Sequence, residues 1–587
     1  MKWIRAHAVV LAGLALIAGQ LGWTAALLAH SYFRQDDFAE LDRALREGFG
    51  WKYLMSVNAG HLTPVGQAID WLLARISLYN WGLAAAVIMI GVAVASLAML
   101  RMLITVFGNR PAILIPLAVY LFSPLSAGAF AWLDEARWVL PLQAAMFLAV
   151  AAHVRYLREQ RRRDLILAGV WIVVGLAAAD QGALVPVLLF ALTAAYFEPG
   201  RLRDAVMRAA AGYWRAWALY GALLAGYCAV FFTQLAGSGV NVAGPGQATS
   251  LYEFVGAVLG INALPGLLGG PWQWQASGYA QAAPPSGLEY LSWVVVAVLV
   301  LASCLFRVRA WRAWAILLGW ILAADVLPAA LGGFRLFARA LGAETGYLAD
   351  ATGVIALCLA LAFLPAGEAS RESPRAVRVA AVAAFCCFAA GTIVSLQAFT
   401  SSVPDAARSY IATARAAIRH VPRGTLIVSG PTPDAVIDPG FFPGQADTAA
   451  VIGPLARRGA VSWTSQLDGF PARPMTFDNT GHLRPAVVVG ASGAPRACLD
   501  VTAGGVSIPL SSDLYQWSWT LRMSYTGPAG TLWVSIGAGG SQQVRLPAGS
   551  HVLYLPLTGS GNTLSVQFAG PRALCLRGAT VGLVYAG

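Results

Sequence analysis

The stretch AVVLAGLALIAGQLGWTAALLA (8–29) runs almost directly into SYFRQDDFAELDRALREGF (31–49). Twenty-two apolar residues behind Lys2 and Arg5 are long enough to cross a bilayer and exceed the usual core of a cleaved leader, so the run is read as a retained membrane helix. Ten further apolar segments follow, at 82–107, 112–132, 138–155, 165–179, 182–197, 216–235, 289–306, 313–331, 351–365 and 378–399. The composition agrees. Of 587 residues, 58% are hydrophobic and only 12% charged, against about 25% charged in soluble domains. A mean hydropathy of +0.63 excludes a soluble enzyme, a disordered chain and a coiled coil.

Charge sets the expected topology. With the N-terminus cytoplasmic, the inner connections hold Lys2, Arg5, Arg110, the Arg155–Arg163 cluster, Arg201, Arg203, Arg208, Arg215, Arg307, Arg309, Arg312, Arg371, Arg375 and Arg378. The outer ones hold fewer cations, and the first outer loop is rich in Asp and Glu. This obeys the positive-inside rule. The net charge of +12 therefore reports orientation in a membrane and implies no nucleic-acid partner. Eleven crossings place the C-terminus outside. The expected layout is a membrane domain over 1–399 with outer loops at 31–81, 132–138, 236–288 and 332–350, an extracytoplasmic α/β region over 400–485, and a β-sandwich over 486–587.

The last region earns its assignment from short alternating strands separated by Gly and Pro turns, beginning with AVVVGAS and ending with ALCLRGATVGLVYA. Five of the seven cysteines fall in apolar helices, where they act as small hydrophobes. The remaining two, Cys498 and Cys575, lie in the outer region and form the expected disulfide. Tyr515, Trp517 and Trp519 alternate along one strand. A core face and a sugar-stacking platform would share that pattern. No zinc spacing, phosphate-binding glycine loop or nucleophile elbow is present.

The outer loops carry the chemistry. Asp36 and Asp37 stand just past the first membrane helix, at head-group depth. Adjacent carboxylates repel one another, and a bound cation, a shared proton or helix capping would each justify them. A second acidic pair, Asp134 and Glu135, sits with Arg137 in AWLDEARW (131–138), on the same side. Ordinary loop solvation and a local ion pair are the bland reading of that motif.

These two placements resemble the GT-C superfamily of membrane glycosyltransferases, which use polyprenyl-phosphate sugar donors and carry acids just after the first helix and between the third and fourth. The layout, including a terminal β-sandwich, is similar to that of actinobacterial cell-wall arabinosyltransferases. The resemblance implies a multi-pass plasma-membrane enzyme that transfers a sugar, with inversion, from a lipid-linked donor to an extracytoplasmic glycan acceptor. It also implies that Asp36 or Asp37 removes the acceptor proton, the neighbouring carboxylate positioning the acceptor or a divalent metal, for which Asp36, Asp37 and Asp134 are the candidate ligands. No other cofactor is expected.

A departing phosphate needs cations. The outer candidates are Arg34, Lys52, His61, Arg137, Arg335 and Arg339. His61 is presented by the turn GHLTP (60–64), and Arg335 and Arg339 lie four apart in 332–350. Interfacial snorkelling accounts equally for these arginines. Asp180 and Asp325 are carboxylates within apolar segments, which are functional hypotheses by default. The stretch 254–270 in the third outer loop reads as a re-entrant or interfacial element with Trp272 and Trp274 at head-group level. A lipid-linked glycan transporter or a non-catalytic glycan-binding assembly factor would share much of this layout.

Overall fold

The computed structural model describes residues 2–58, 60–238, 248–275, 280–332, 338–366, 375–402, 406–440, 442–493 and 497–587. The chain divides into two compact units, Met1–Asp405 and Ala406–Gly587.

The first unit is a helical bundle. Among the described residues nine helices are long and apolar enough to cross a membrane: His7–His30, Trp81–Phe107, Pro111–Ala131, Leu133–Glu159, Asp180–Phe197, Trp214–Gly237, Ser286–Phe306, Ala310–Ala330 and Val382–Thr400. Two of the eleven expected segments form shorter helices, Arg162–Ala178 of 17 residues and Ala351–Phe363 of 13. The corner at Asp180 explains the first shortening. Ala179 is extended, and a Cβ on Gly182 would overlap the backbone of Gly175, so the chain folds back tightly there. Leu133–Glu159 is buried along almost its whole length, whereas Ser286–Phe306 leaves Val294, Val298, Leu301 and Leu305 exposed. An apolar surface of that kind is stable only with lipid as its solvent.

Five helices position the site and are labelled here: α1 (Lys2–His30), α2 (Asp36–Arg46), α3 (Pro64–Ser77), α4 (Leu133–Glu159) and α5 (Trp214–Ser238). The expected re-entrant segment is helical from Ala248 to Gly266. It packs against the last membrane helix, where Trp274 Nε1 donates to the Ser395 carbonyl at 2.8 Å. It also joins the 338–350 segment, through Asn262 Nδ2 to the Gly342 carbonyl at 2.8 Å and Thr345 N–H to the Ala280 carbonyl at 2.9 Å.

The second unit opens with a helix, Ala406–Arg419, and carries ten strands: β1 (Thr425–Val428), β2 (Val461–Thr464), β3 (Met475–Phe477), β4 (Leu483–Gly493), β5 (Leu499–Val501), β6 (Val506–Gly527), β7 (Gly530–Ile536), β8 (Gln542–Leu546), β9 (Gly549–Ala569) and β10 (Leu574–Ala586). They follow the order β2-β1-β3-β4-β10-β6-β9-β7-β8, with β5 on β10. Because β3 pairs with β4, residues on both sides of position 485 share one sheet path. The alternation predicts only short strands between Gly and Pro turns after 485. Instead HVLYLPLTG and TLSVQFAG are one strand, β9, and YQWSWTLRMSY is the second half of β6. Register shifts between Pro509 and Leu514 and between Leu514 and Trp517 bend this long hairpin. Residues from both of its halves then meet in one core, for example Leu521 and Leu555 with Ile508 and Val566. The aromatic trio is divided: Trp519 is buried, while Tyr515 and Trp517 are 62% and 53% exposed. Cys498 and Cys575 are disulfide-bonded, with a Cα–Cα distance of 5.3 Å.

Candidate functional site

The chain leaves α1 and enters α2 through Gln35, whose φ of +49° is left-handed. That conformation is costly for a residue with a side chain, by about 1 kcal/mol or more. Its effect here is to set Asp36 and Asp37 in the first turn of α2 on different sides. Asp37 faces inward and is 2% exposed. Its Oδ2 accepts the Arg34 N–H at 3.0 Å and its Oδ1 accepts the Asp134 N–H at 2.9 Å. Asp134 lies in the first turn of α4, where backbone donors have no intrahelical partner. Asp37 therefore caps α4 from the first outer loop and joins the two acidic motifs.

Asp36 is half-buried, and its carboxylate takes no hydrogen bond from another described residue. Burial, then the Asp134 charge, hold it well above the ordinary carboxylate range; a hydrogen bond from its own backbone N–H, and after it Arg137, oppose that shift. Burial and Asp134 raise Asp37 as well, but both of its oxygens are already engaged.

Arg137 is buried and neutralised within the protein. Its Nη1 reaches Asp70 Oδ2 on α3 at 2.6 Å, and its Nε donates to Asp134 Oδ1 at 3.1 Å, with Nη2 on the same oxygen. Burial pushes Asp70 up to about 7 even so. With both acids engaged, this guanidinium serves the framework, not the phosphate that the sequence reading offered it. Gly66 makes the approach possible, since a Cβ there would lie 3.1 Å from Arg137 Nη1.

Glu135 is buried beside Arg34 and Asp36, and its Oε2 has no hydrogen-bond partner. It is wedged between Gly128 and Gly346, where a Cβ on either would collide with the carboxylate. Glu344 approaches from the same segment as Gly346. Burial raises it to about 7, against the pull of Arg34. Arg34 itself lies over the Trp132 ring at 4.6 Å.

A second cluster adjoins the first. His61 Nδ1 lies 2.8 Å from Asp180 Oδ2, while Asp180 Oδ1 accepts the Leu62 N–H at 3.3 Å and the Tyr227 hydroxyl of α5 at 2.5 Å. The His61 side chain is 60% exposed. The Asp180 bond raises its pKa, burial opposes this, and the charges of Asp134 and Arg137 act on it as well, which places His61 beside the acidic site.

Asp36, Asp37, His61, Asp134, Glu135 and Arg137 are thus brought together. Arg335 lies outside the described residues. Arg339 lines a different cavity of about 510 Å³ with Glu253, Gln275 and Glu289. Asp325 is buried near Asp350, which accepts Trp320 Nε1 at 3.1 Å. Among the described residues no three His, Cys, Asp or Glu side chains are placed to hold a metal ion. Two of the candidate ligands, Asp37 and Asp134, already accept N–H donors. Sequence reading missed Asp70, Glu344 and Tyr227. A lone acid in the apolar helix AIDWLLAR was the available signal for the first; Glu344 and Tyr227 carried none.

No family model matches the chain, and no curated protein does. Solved structures similar to it include the arabinofuranosyltransferase AftD from Mycobacteria, at 11% identity over 97% of this chain and 59% of that one, with a TM-score of 0.38. Another is the arabinosyltransferase EmbB from Mycobacterium smegmatis, at 10% identity over 97% and 64%, with a TM-score of 0.35. The chain spans about three-fifths of the length of these structures.

Proposed function

We propose that the protein is a multi-pass plasma-membrane glycosyltransferase. It transfers a sugar, with inversion, from a polyprenyl-phosphate donor to a glycan on the outer side, where the second unit also lies. The observation that carries this reading is the unequal treatment of the two adjacent acids: both oxygens of Asp37 are engaged in capping, whereas Asp36 takes no hydrogen bond from another described residue. A partly buried carboxylate with a raised pKa and no bond to a neighbouring residue suits a general base.

In the proposed step the acceptor hydroxyl oxygen attacks the anomeric carbon and its proton passes to Asp36. The new glycosidic C–O bond forms as the bond to phosphate breaks, and polyprenyl phosphate leaves with the bonding electrons. Arg137 and Asp70 hold the start of α4 in place, and through it the second acidic motif.

The reaction itself provides the test. Purified protein in lipid nanodiscs, given a polyprenyl-phosphate sugar and an acceptor glycan, should release polyprenyl phosphate and form a product of inverted anomeric configuration. A product of retained configuration would contradict the mechanism. Transport of the intact lipid-linked glycan without sugar transfer would replace it with the transporter reading.

A further inference from the structure

The donor phosphate needs a cation that the framework has not already neutralised, and the His61 cluster meets that need in three respects. First, His61 Nδ1 is held by Asp180, which is itself fixed by the Leu62 N–H and the Tyr227 hydroxyl. The ring orientation is therefore set from two helices and a loop, and the Nε2 edge is left to the exposed side. Second, the groups facing His61 are Asp180, Tyr227 on α5, and Asp134 and Arg137 on α4. Arg137 is satisfied by Asp70 and Asp134, whereas the His61 imidazolium, among the described residues of this corner, keeps an exposed face. Third, Tyr227 continues a helix face that is apolar lower down. Seven residues earlier, about 10 Å along the axis, Tyr220 lines a groove of about 460 Å³ with Pro186, Phe190, Trp214, Trp217 and Leu224. A groove walled by aromatic and aliphatic side chains fits a hydrocarbon chain, and Leu224 in its wall stands about one helical turn before Tyr227 on α5.

We infer that His61 binds the phosphate of a lipid-linked substrate whose hydrocarbon chain lies along this groove, with Asp180 and Tyr227 as positioning residues. This rests on the transferase reading for the identity of the lipid, although the site itself would take any polyprenyl phosphate. The raised pKa of His61 gives the sign of the pH effect. The cation is complete below about 6.5 and is lost as pH rises through the folded-state value, so affinity for the phosphate falls on the alkaline side.

The test measures binding of undecaprenyl phosphate, without a sugar, to the full chain in nanodiscs. His61→Ala, at an exposed side chain, should weaken binding about 10- to 100-fold, as loss of a charged hydrogen bond does. Asp180→Asn should raise the donor KM with little change in kcat and move the alkaline loss of affinity to lower pH, which a merely structural role would not do. Inorganic phosphate should fail to displace the lipid at millimolar concentration. Unchanged binding by His61→Ala, an unmoved pH profile in Asp180→Asn, or displacement by inorganic phosphate would each overturn the inference. Asp36→Asn serves as the control: it should bind undecaprenyl phosphate normally. Normal sugar transfer by that variant would remove Asp36 as the base, and no transfer by the wild-type protein would remove the transferase reading; either leaves the binding result standing.

Discussion

The two units treat charge in opposite ways. In Met1–Asp405 the buried side chains include Arg34, Asp37, Glu40, Asp70, Glu135, Arg137, Asp325 and Asp350. In Ala406–Gly587 no Asp, Glu, Lys or Arg is buried among the described residues; the core is aliphatic and aromatic, and its buried polar groups are threonines. Burying a charge costs several kcal/mol unless it is paired. The outer unit avoids that cost, as a domain built for stability does. The membrane unit bears it where α2, α3, α4 and the 338–350 segment bring acids and arginines together, and also at Asp164, which pairs with Arg155, and at Arg312. A concentration of buried charge of this kind is where catalytic groups acquire shifted pKa values.

Five substitutions can break or sharpen this contrast. The largest effect on folding is expected from Arg137→Met, which strands Asp70 and Asp134 without their cation. Removing one partner of a buried pair costs about 3–5 kcal/mol, read as a fall in thermal unfolding temperature of the detergent-solubilised protein. Trp519→Ala in the outer unit should cost about 3 kcal/mol by opening a cavity in an apolar core, with sugar-transfer chemistry unaffected. Gly346→Ala should disturb the Glu135 carboxylate by a direct clash, at about 1–3 kcal/mol, and slow transfer more than it lowers stability. Tyr515→Ala and Trp517→Ala, at exposed positions beside Trp519, should change unfolding by less than about 0.5 kcal/mol. If they proved as damaging as Trp519→Ala, the division of that strand into buried and exposed aromatics would be wrong.

The acid pairs at 36–37 and 134–135 were legible because adjacent carboxylates next to an apolar run are unusual in one dimension. Their division of labour was not. The partner that occupies Asp37 is a backbone N–H 97 residues away, and only the folded chain shows that Asp36 is left over. Arg137 looked like a phosphate ligand by charge and side, yet its fate is set by Asp70, a single acid 67 residues earlier in a helix whose period says only that one face is apolar. The membrane segments were legible from apolar length, except where a tight corner at Gly175 and Gly182 or a short helix such as Ala351–Phe363 breaks the rule that a crossing needs about 20 residues. The strands of the outer unit were visible as alternation. Their continuity through β6 and β9 was not, because a bend made by register shifts looks like a turn when only the sequence is read.

The pH dependence of transfer gives a further check on the same site. Asp36 must be ionised to accept a proton, and its pKa is raised by burial and by Asp134. Activity should therefore rise with pH through a value well above the ordinary carboxylate range. Asp134→Asn, which removes the neighbouring negative charge, should move that rise to lower pH.

The central claim is that Asp36 is the base and Asp37 is framework. It is tested most directly by the rate of radiolabelled sugar transfer from a polyprenyl-phosphate donor by Asp36→Asn in nanodiscs. The account predicts a variant with wild-type thermal stability and a transfer rate about 100- to 10,000-fold lower. Transfer at the wild-type rate by Asp36→Asn would contradict it.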